Sequence, residues 1–304
     1  MFDIIIVGAG PSGLTAAIYA RRALKNVLVL EASAYGGQII NTPDIENYPV
    51  ESHISGFDFA TKLYNQVKDL GAEVKFEKVV DLIDNGDTKE VVTTKNKYTC
   101  KAVILATGSE NRKLGLSNEK ELVGKGVSYC ATCDGNFYKN KIVAVVGGGN
   151  TALEDALYLT DVAKEVYLIH RRDEFRGDNK TLSKLKEKNN VKFIFNSTVS
   201  KLNAHEKLDS IEVTDVVTNE KKEIELNGLF IAIGRVPENE NFSKLINLNE
   251  NGYIISSEDC TTNVEGIFAA GDNRTKEVRQ LVTACSDGAV AATKAIKYIN
   301  ENTK

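Results

Sequence analysis

Apolar residues along this chain gather in short runs that end on glycine. Ile4 to Val7 leads into Gly8, Ala102 to Ala106 into Gly108, and Leu229 to Ile233 into Gly234. Ile267 to Ala270 closes on Gly271. Such runs read as strands ending in turns. Two stretches carry the pattern further. Asp3 to Glu31 reads as a strand, a glycine turn, a helix from Leu14 to Leu24 and a second strand from Asn26 to Leu30. Sliding the chain against itself by 139 residues lays Ile142 to His170 on it without a gap. That copy has its own glycine turn, a helix from Leu153 to beyond Leu159, and a strand from Val166 to Ile169. Gly8 meets Gly147, Gly10 meets Gly149 and Gly13 meets Ala152. A β-α-β unit used twice predicts an α/β fold of the doubly wound, nucleotide-binding kind.

The remaining runs predict nesting rather than two domains in a row. If the strand-turn at Gly271 and a terminal helix near Leu281 to Ile299 rejoin the first unit, residues 1–113 and 245–304 form one discontinuous domain. Residues 114–244 are then inserted into it. The length of 304 residues suffices for two cores. The initial run, Ile4 to Val7, is too short for a signal peptide and reads as a first strand. No apolar run approaches the roughly 20 residues of a membrane helix, and a net charge of -4 gives no reason to expect nucleic acid or a membrane surface. Five cysteines, an odd number, argue for a reducing compartment, the cytoplasm by default.

Candidate chemistry sits on the two turns and beside the second. Gly8, Gly10 and Gly13, with Pro11 and Ser12 between the last two and Glu31 at the tip of the next strand, describe a dinucleotide cradle. Glycines admit a pyrophosphate, the helix N-terminus supplies positive dipole, and the acid accepts from ribose hydroxyls. The second cradle is Gly147, Gly148 and Gly149, with Asn150 and Thr151. Where the first copy has Glu31 it has His170, then Arg171, Arg172 and Arg176. An acid there would repel a 2′-phosphate and arginines bind one, so this site reads as NADP(H). Just ahead of it stands Cys130-Ala131-Thr132-Cys133-Asp134, a thiol pair able to cycle between dithiol and disulfide. Zinc would need two further ligands, and neither Cys100, Cys260 and Cys285 nor His53, His170 and His205 supply that spacing; no metal is expected. The three lone cysteines read as small buried hydrophobes and the histidines as surface or turn residues. Two dinucleotide sites and one C-x-x-C predict a flavin-dependent disulfide oxidoreductase.

Nearly the whole chain resembles the low-molecular-weight, bacterial-type thioredoxin reductases, of the flavin-dependent pyridine nucleotide-disulfide oxidoreductase family. The resemblance is carried by the two cradles, Gly36-Gly37-Gln38, Glu46-Asn47-Tyr48-Pro49, Ala106-Thr107-Gly108, the Cys130 to Gly135 motif, His170-Arg171-Arg172 with Arg176, and Gly271-Asp272 followed by Arg279-Gln280. It implies two Rossmann-like, three-layer ββα domains, with the NADPH domain inserted into the FAD domain. It implies a homodimer that holds FAD, takes electrons from NADPH and reduces thioredoxin. Asp272 would hold the flavin's ribityl chain, and Gly37, Gln38, Asn47, Arg279 and Gln280 would line the flavin, with Gly36, Thr107, Gly108 and Gly271 in the same site. Cys133 would face the flavin, Cys130 would attack the partner disulfide, and Asp134 would protonate the thiolate. The inserted domain would rotate to present nicotinamide and cysteines in turn. Val50, Asn136 and Asn273 depart from the family's pattern, and Arg235 stands where the family varies.

Other readings remain open at this point. Ferredoxin could replace NADPH as donor, against which the arginines speak, and another small disulfide could be the acceptor. A ferredoxin–NADP reductase of similar fold would lack the cysteine pair. A redox sensor would signal through the disulfide without turnover.

Overall fold

A computed structural model describes residues 1–302. The chain forms two compact units, residues 1–110 with 236 onward, and residues 111–235. The crossings are the short strands Ser109–Asn111 and Arg235–Pro237. This moves both boundaries read from the sequence. Residues 236–244 belong to the first unit, because Phe242 packs with Ile5, Leu105 and Ile267 in its core. Asn239 is fully buried there and bonds Thr107, Gly252 and Asn273. Residues 111–113 go with the second unit, where the Arg112 amide donates to the Gly234 carbonyl.

Among the described residues the first unit is built on a seven-stranded sheet. Glu73–Phe76, Val27–Glu31, Phe2–Val7 and Lys97–Leu105 run parallel in that order. Ile267–Ala269 pairs parallel with Lys97–Leu105 at its C-terminal half, and Lys89–Thr93 and Val79–Asp84 continue from it antiparallel. The central strands lack the alternation of a half-exposed sheet because both faces are covered. Ile4, Ile6, Val29 and Ile104 face one core, with Leu14, Ala17 and Ile18 of the helix Pro11–Arg22 and Ala291, Ala292, Ala295 and Ile299 of the helix Leu281–Asn302. Ile5, Val7, Leu28, Leu30, Val103 and Leu105 face the other. Burying each such aliphatic side chain contributes about 1.5–3 kcal/mol, so these strands hold the sheet without help from their neighbours' polarity.

The second unit repeats the plan. Val191–Ile194, Glu165–Ile169, Ile142–Val146, Gly228–Ile231 and Val127–Ser128 form a five-stranded parallel sheet. On one face Val143, Val145 and Phe230 pack with Leu153, Ala156 and Leu159 of the helix Asn150–Thr160 and with Leu185 of Asn179–Lys186. On the other, Ala144, Val146 and Leu229 meet Leu202, Ile211 and Ile224 of an antiparallel sheet, Ser197–Ala204, Leu208–Asp215 and Lys221–Glu225. Helices, parallel sheet and antiparallel sheet are the three layers of a ββα Rossmann-like unit.

The two repeat helices begin three residues before the sequence pattern suggests, at Pro11 and Asn150, with Gly10 and Gly149 as N-caps. Periodicity sees only the apolar face; proline at the first turn starts a helix without contributing to that face. Among the described residues no helix is long and apolar enough to cross a membrane.

Candidate active site

The first glycine turn uses its glycines for two different purposes. Gly8 has φ +109°, and a Cβ on it would meet the Ala106 carbonyl oxygen at 2.3 Å. A Cβ on Gly13 would meet the Gly8 oxygen at 2.0 Å. These two are required by close backbone approach within the fold. Gly10 is not: its φ of -77° suits any residue, and a Cβ on it would have Gly37 Cα as its nearest neighbour, at an ordinary 3.9 Å. The space kept clear at Gly10 lies at the N-terminus of the helix Pro11–Arg22, where N–H groups lack partners and the dipole favours an anion.

Glu31, Gly36, Gly37 and Gly271, singled out by the sequence, lie against this turn. The Ala9 amide donates to Glu31 Oε2 at 2.8 Å and the Ser33 amide to Oε1 at 3.0 Å, fixing the acid at the strand tip. The Gly36 amide donates to the Ala9 carbonyl, and Gly37 and Gln38 open a short 3-10 turn, Gly37–Asn41. Gly271, at φ +87°, lies so close to Ser12 that a Cβ would meet its hydroxyl at 2.6 Å, which sets Asp272 beside the helix start. Asn273 Nδ2 donates to the Leu105 carbonyl and to Thr107 Oγ1, and Thr107 Oγ1 donates to Asn239 Oδ1; Gly108 follows. Asn47 Nδ2 donates to Gln280 Oε1 at 3.1 Å. Arg279 lies over the Tyr253 ring at 4.4 Å, and its Nε is buried with no acceptor among the described residues. A cleared turn, a fixed acid and a buried donor awaiting an acceptor fit a dinucleotide such as FAD.

The second turn has the same logic. A Cβ on Gly147 would meet the Ala232 oxygen at 2.3 Å, whereas one on Gly149 would meet nothing within 4 Å. Asn150 and Thr151 begin the helix, and the Asp178 amide donates to Asn150 Oδ1 at 2.9 Å. The Arg176 amide donates to the Gly148 carbonyl at 2.8 Å. The stretch from His170 to Asp178 thus packs onto the turn and brings Arg171, Arg172 and Arg176 to it. All three are exposed, and among the described residues none is engaged in an ion pair. A cluster of unneutralised guanidinium groups beside an open glycine turn fits a phosphorylated dinucleotide.

His170 is a correction. The sequence suggests a surface or turn residue, but its side chain is buried under Gly148, where a Cβ would strike the ring at 2.0 Å, and it stacks on Phe175. Burial, and then the neighbouring Arg172, Arg176 and Arg171, hold its pKa below the ordinary value, against a hydrogen bond to the Glu174 backbone. It supports the turn from beneath. His53 and His205 are exposed, each bonded to an aspartate.

Cys130 and Cys133 are joined in a disulfide, Cα to Cα 5.3 Å. Cys130 caps the single helical turn Ala131–Asp134, and buried Ala131 anchors that turn in the core. Both cysteines are half-buried. Ser128, which the sequence pattern does not reveal, organises the motif: its hydroxyl donates to Asp134 Oδ2 at 2.6 Å and accepts from the Cys130 amide at 3.1 Å. Asp134 Oδ1 is buried without a donor among the described residues. Burial pushes the Asp134 carboxyl above its ordinary range, against the Ser128 hydrogen bond. Burial and then the charge of Asp134 push the nearby Tyr138 phenol up to about 12. The arrangement offers a two-electron disulfide beside a carboxyl group that binds its proton more tightly than an ordinary aspartate.

Cys100 and Cys260 are fully buried, as small hydrophobes; Cys285 is only half-buried. Asp44, Glu46 and His53 bring ligand atoms within 4.8 Å of one another on a largely exposed loop.

Comparison with known proteins places this geometry. Residues 2–288 match the family model of the pyridine nucleotide-disulphide oxidoreductases. The chain is 42% identical over 302 residues to thioredoxin reductase of Bacillus subtilis (strain 168), covering 99% of this chain and 96% of that one. Among solved structures, thioredoxin reductase of Streptococcus pyogenes MGAS5005 superposes with a TM-score of 0.95 at 38% identity, covering 99% of both chains. That of Giardia duodenalis gives 0.93 at 32% identity, covering 98% of this chain and 99% of that one. Two cradles, one redox disulfide and this likeness along the whole length lead to one assignment: the chain belongs to the thioredoxin reductases of the pyridine nucleotide-disulphide oxidoreductase family.

Proposed function

We propose that the protein is an NADPH-dependent thioredoxin-disulfide reductase that works through FAD and the Cys130–Cys133 pair. The observation that carries this is the Cys130–Cys133 disulfide beside Asp134, whose carboxyl burial pushes above its ordinary range, in a chain of this family. The first unit holds FAD, through Gly8, Gly10, Pro11, Ser12, Gly13, Glu31, Gly36 to Gln38, Asn47, Thr107, Gly108, Gly271, Asp272, Arg279 and Gln280. The second holds NADPH, through Gly147, Gly149, Asn150, Thr151, Arg171, Arg172 and Arg176, with His170 beneath.

FAD, held by these residues of the first unit, would supply the two-electron chemistry that links NADPH to the disulfide. The chain's own residues do the rest. Two electrons and two protons open Cys130–Cys133 to the dithiol. Cys130 sulfur then attacks one sulfur of the partner's disulfide and the other leaves as thiolate, protonated from Asp134. Cys133 sulfur attacks the mixed disulfide, the Cys130–Cys133 bond re-forms, and the partner departs as a dithiol. The partner is thioredoxin or a similar small dithiol protein, and the working form is a homodimer. Three thiols, Cys100, Cys260 and Cys285, stay free beside the one disulfide, which supports a reducing, cytoplasmic setting.

Anaerobic titration tests the reading. NADPH should bleach the flavin absorbance of the purified protein at far lower concentration than NADH, and added thioredoxin should restore it. A protein that binds no FAD, or whose flavin neither nucleotide bleaches, overturns it.

A further inference from the structure

Asp287 lies outside every sequence motif of the two cradles and the redox pair, yet three residues of the loop that carries Asp272 converge on its carboxylate. The Gly271 amide donates to Asp287 Oδ2 at 2.9 Å. Arg274 grips both oxygens, Nε to Oδ2 at 2.8 Å and Nη2 to Oδ1 at 2.9 Å. Lys276 Nζ donates to Oδ2 at 2.9 Å. Asp287 is buried and Arg274 fully so. Arg274 also donates to the Thr275 carbonyl, and its remaining partner, Glu258 Oε1 at 3.3 Å, belongs to a largely exposed side chain. These hydrogen bonds outweigh the cost of burial and hold the Asp287 carboxyl below its usual range, so it is an anion.

The carboxylate sits on the helix Leu281–Asn302, whose next residue, Gly288, touches the Ser12 carbonyl so closely that a Cβ would meet it at 2.1 Å. Ser12 in turn touches Gly271. One helix therefore supports the first glycine turn through Gly288 and the Gly271–Asp272 turn through Asp287. A bidentate arginine, a lysine and a backbone amide on one carboxylate fix a loop's direction far more tightly than any one of them could.

We propose that Asp287 is a positioning residue for the flavin site, clamping the segment from Gly271 to Lys276 so that Asp272 is aimed at the ligand. The proposal rests on the FAD reading of the first unit. It differs from a purely structural role in what it predicts for binding. A buried charged hydrogen bond commonly decides affinity by roughly ten- to hundredfold.

The test uses full-length protein stripped of flavin and re-titrated with FAD, below the melting temperature of every variant, with visible circular dichroism of the bound flavin as a second readout. Asp287→Asn should raise the FAD Kd roughly tenfold or more and alter the dichroism. Glu258→Gln, at the exposed partner of Arg274, should change neither. If Asp287→Asn does not fold, Lys276→Met keeps the Arg274–Asp287 pair but releases one anchor of the loop, and should weaken FAD binding by itself. Unchanged FAD affinity in the folded Asp287 variant, or in Lys276→Met should that variant not fold, overturns the proposal. So does an equal loss in Glu258→Gln, which would point to cluster charge rather than a clamp. Failure of the unsubstituted chain to take up FAD would instead be failure of the flavin reading, and is seen before any variant is made.

Discussion

The Ser128 hydroxyl donates to Asp134 Oδ2 at 2.6 Å, while Asp134 Oδ1 is buried with no donor among the described residues. One hydrogen bond does not repay a carboxylate for two desolvated oxygens, so the proton is retained above the ordinary pKa of 3.8. Between that value and the raised one the native state binds more protons than the unfolded chain. Stability contributed by the protonated acid is therefore lost as pH rises through the raised value.

Asp134→Asn separates the two consequences. Asparagine keeps the acceptor for Ser128 and removes the charge, so the variant should melt higher than the parent at neutral pH and no longer lose stability on rising from acid. Turnover with thioredoxin should fall by roughly 10²-fold or more, as when a general acid is lost, with FAD content unchanged. Melting curves across pH, set beside steady-state rates, check both. A variant less stable at neutral pH would mean the carboxylate is better satisfied than its surroundings indicate.

The glycines make a contrasting pair of expectations. Gly13→Ala should damage the fold, because its Cβ would lie 2.0 Å from the Gly8 oxygen. Gly10→Val should yield a folded apoprotein that takes up no FAD, because only a ligand claims that space. The melting temperature of apoprotein and the flavin absorbance after incubation with FAD distinguish them. A yellow, fully loaded Gly10→Val protein would show that nothing approaches the helix there.

Why the sequence speaks clearly at these places and not at others has a physical reason. Gly13 is constrained by the Gly8 carbonyl five positions earlier, and the Cys130–Cys133 pair by its own short spacing, so the local pattern carries them. Asn239 bonds Thr107, 132 positions away, and Asp287 bonds Arg274 on another element; a polar residue becomes a core residue only through such distant partners. Residues 236–244 fall on the wrong side of the boundary read from the sequence for the same reason, since Phe242 and Asn239 declare their allegiance only in the packed core. His170 looks like a surface group because nothing local shows that Gly148 will sit on its ring. Asn273 stands out as a departure, and the structure gives it work: its amide ties Leu105 and Thr107.

The arginine cluster predicts coenzyme choice. Replacing Arg171 and Arg176 with Ala should raise the NADPH requirement roughly tenfold to hundredfold, the worth of a lost charged hydrogen bond, and leave the NADH requirement nearly unmoved. Both side chains are exposed, so the effect should shrink with added salt. Michaelis constants for the two nucleotides at two ionic strengths check it. An equal loss for both would mean that the arginines meet the pyrophosphate or nothing, and not a 2′-phosphate.

The two cysteines are expected to divide the work unequally. With Cys130→Ser, Cys133 remains as the sulfur that exchanges electrons with the flavin, so NADPH should still reduce the protein while thioredoxin receives nothing. With Cys133→Ser, Cys130 keeps its place at the start of the helical turn and still attacks a disulfide, but no sulfur is left to resolve the product. A stable mixed disulfide with thioredoxin should accumulate, visible as a species of the summed mass that dithiothreitol removes. The assignment reverses if Cys130→Ser traps the partner and Cys133→Ser does not, because the attacking sulfur would then be Cys133. A double variant that reduces thioredoxin at the parent rate would go further and make the disulfide structural, with electrons leaving the flavin by a route that uses neither sulfur.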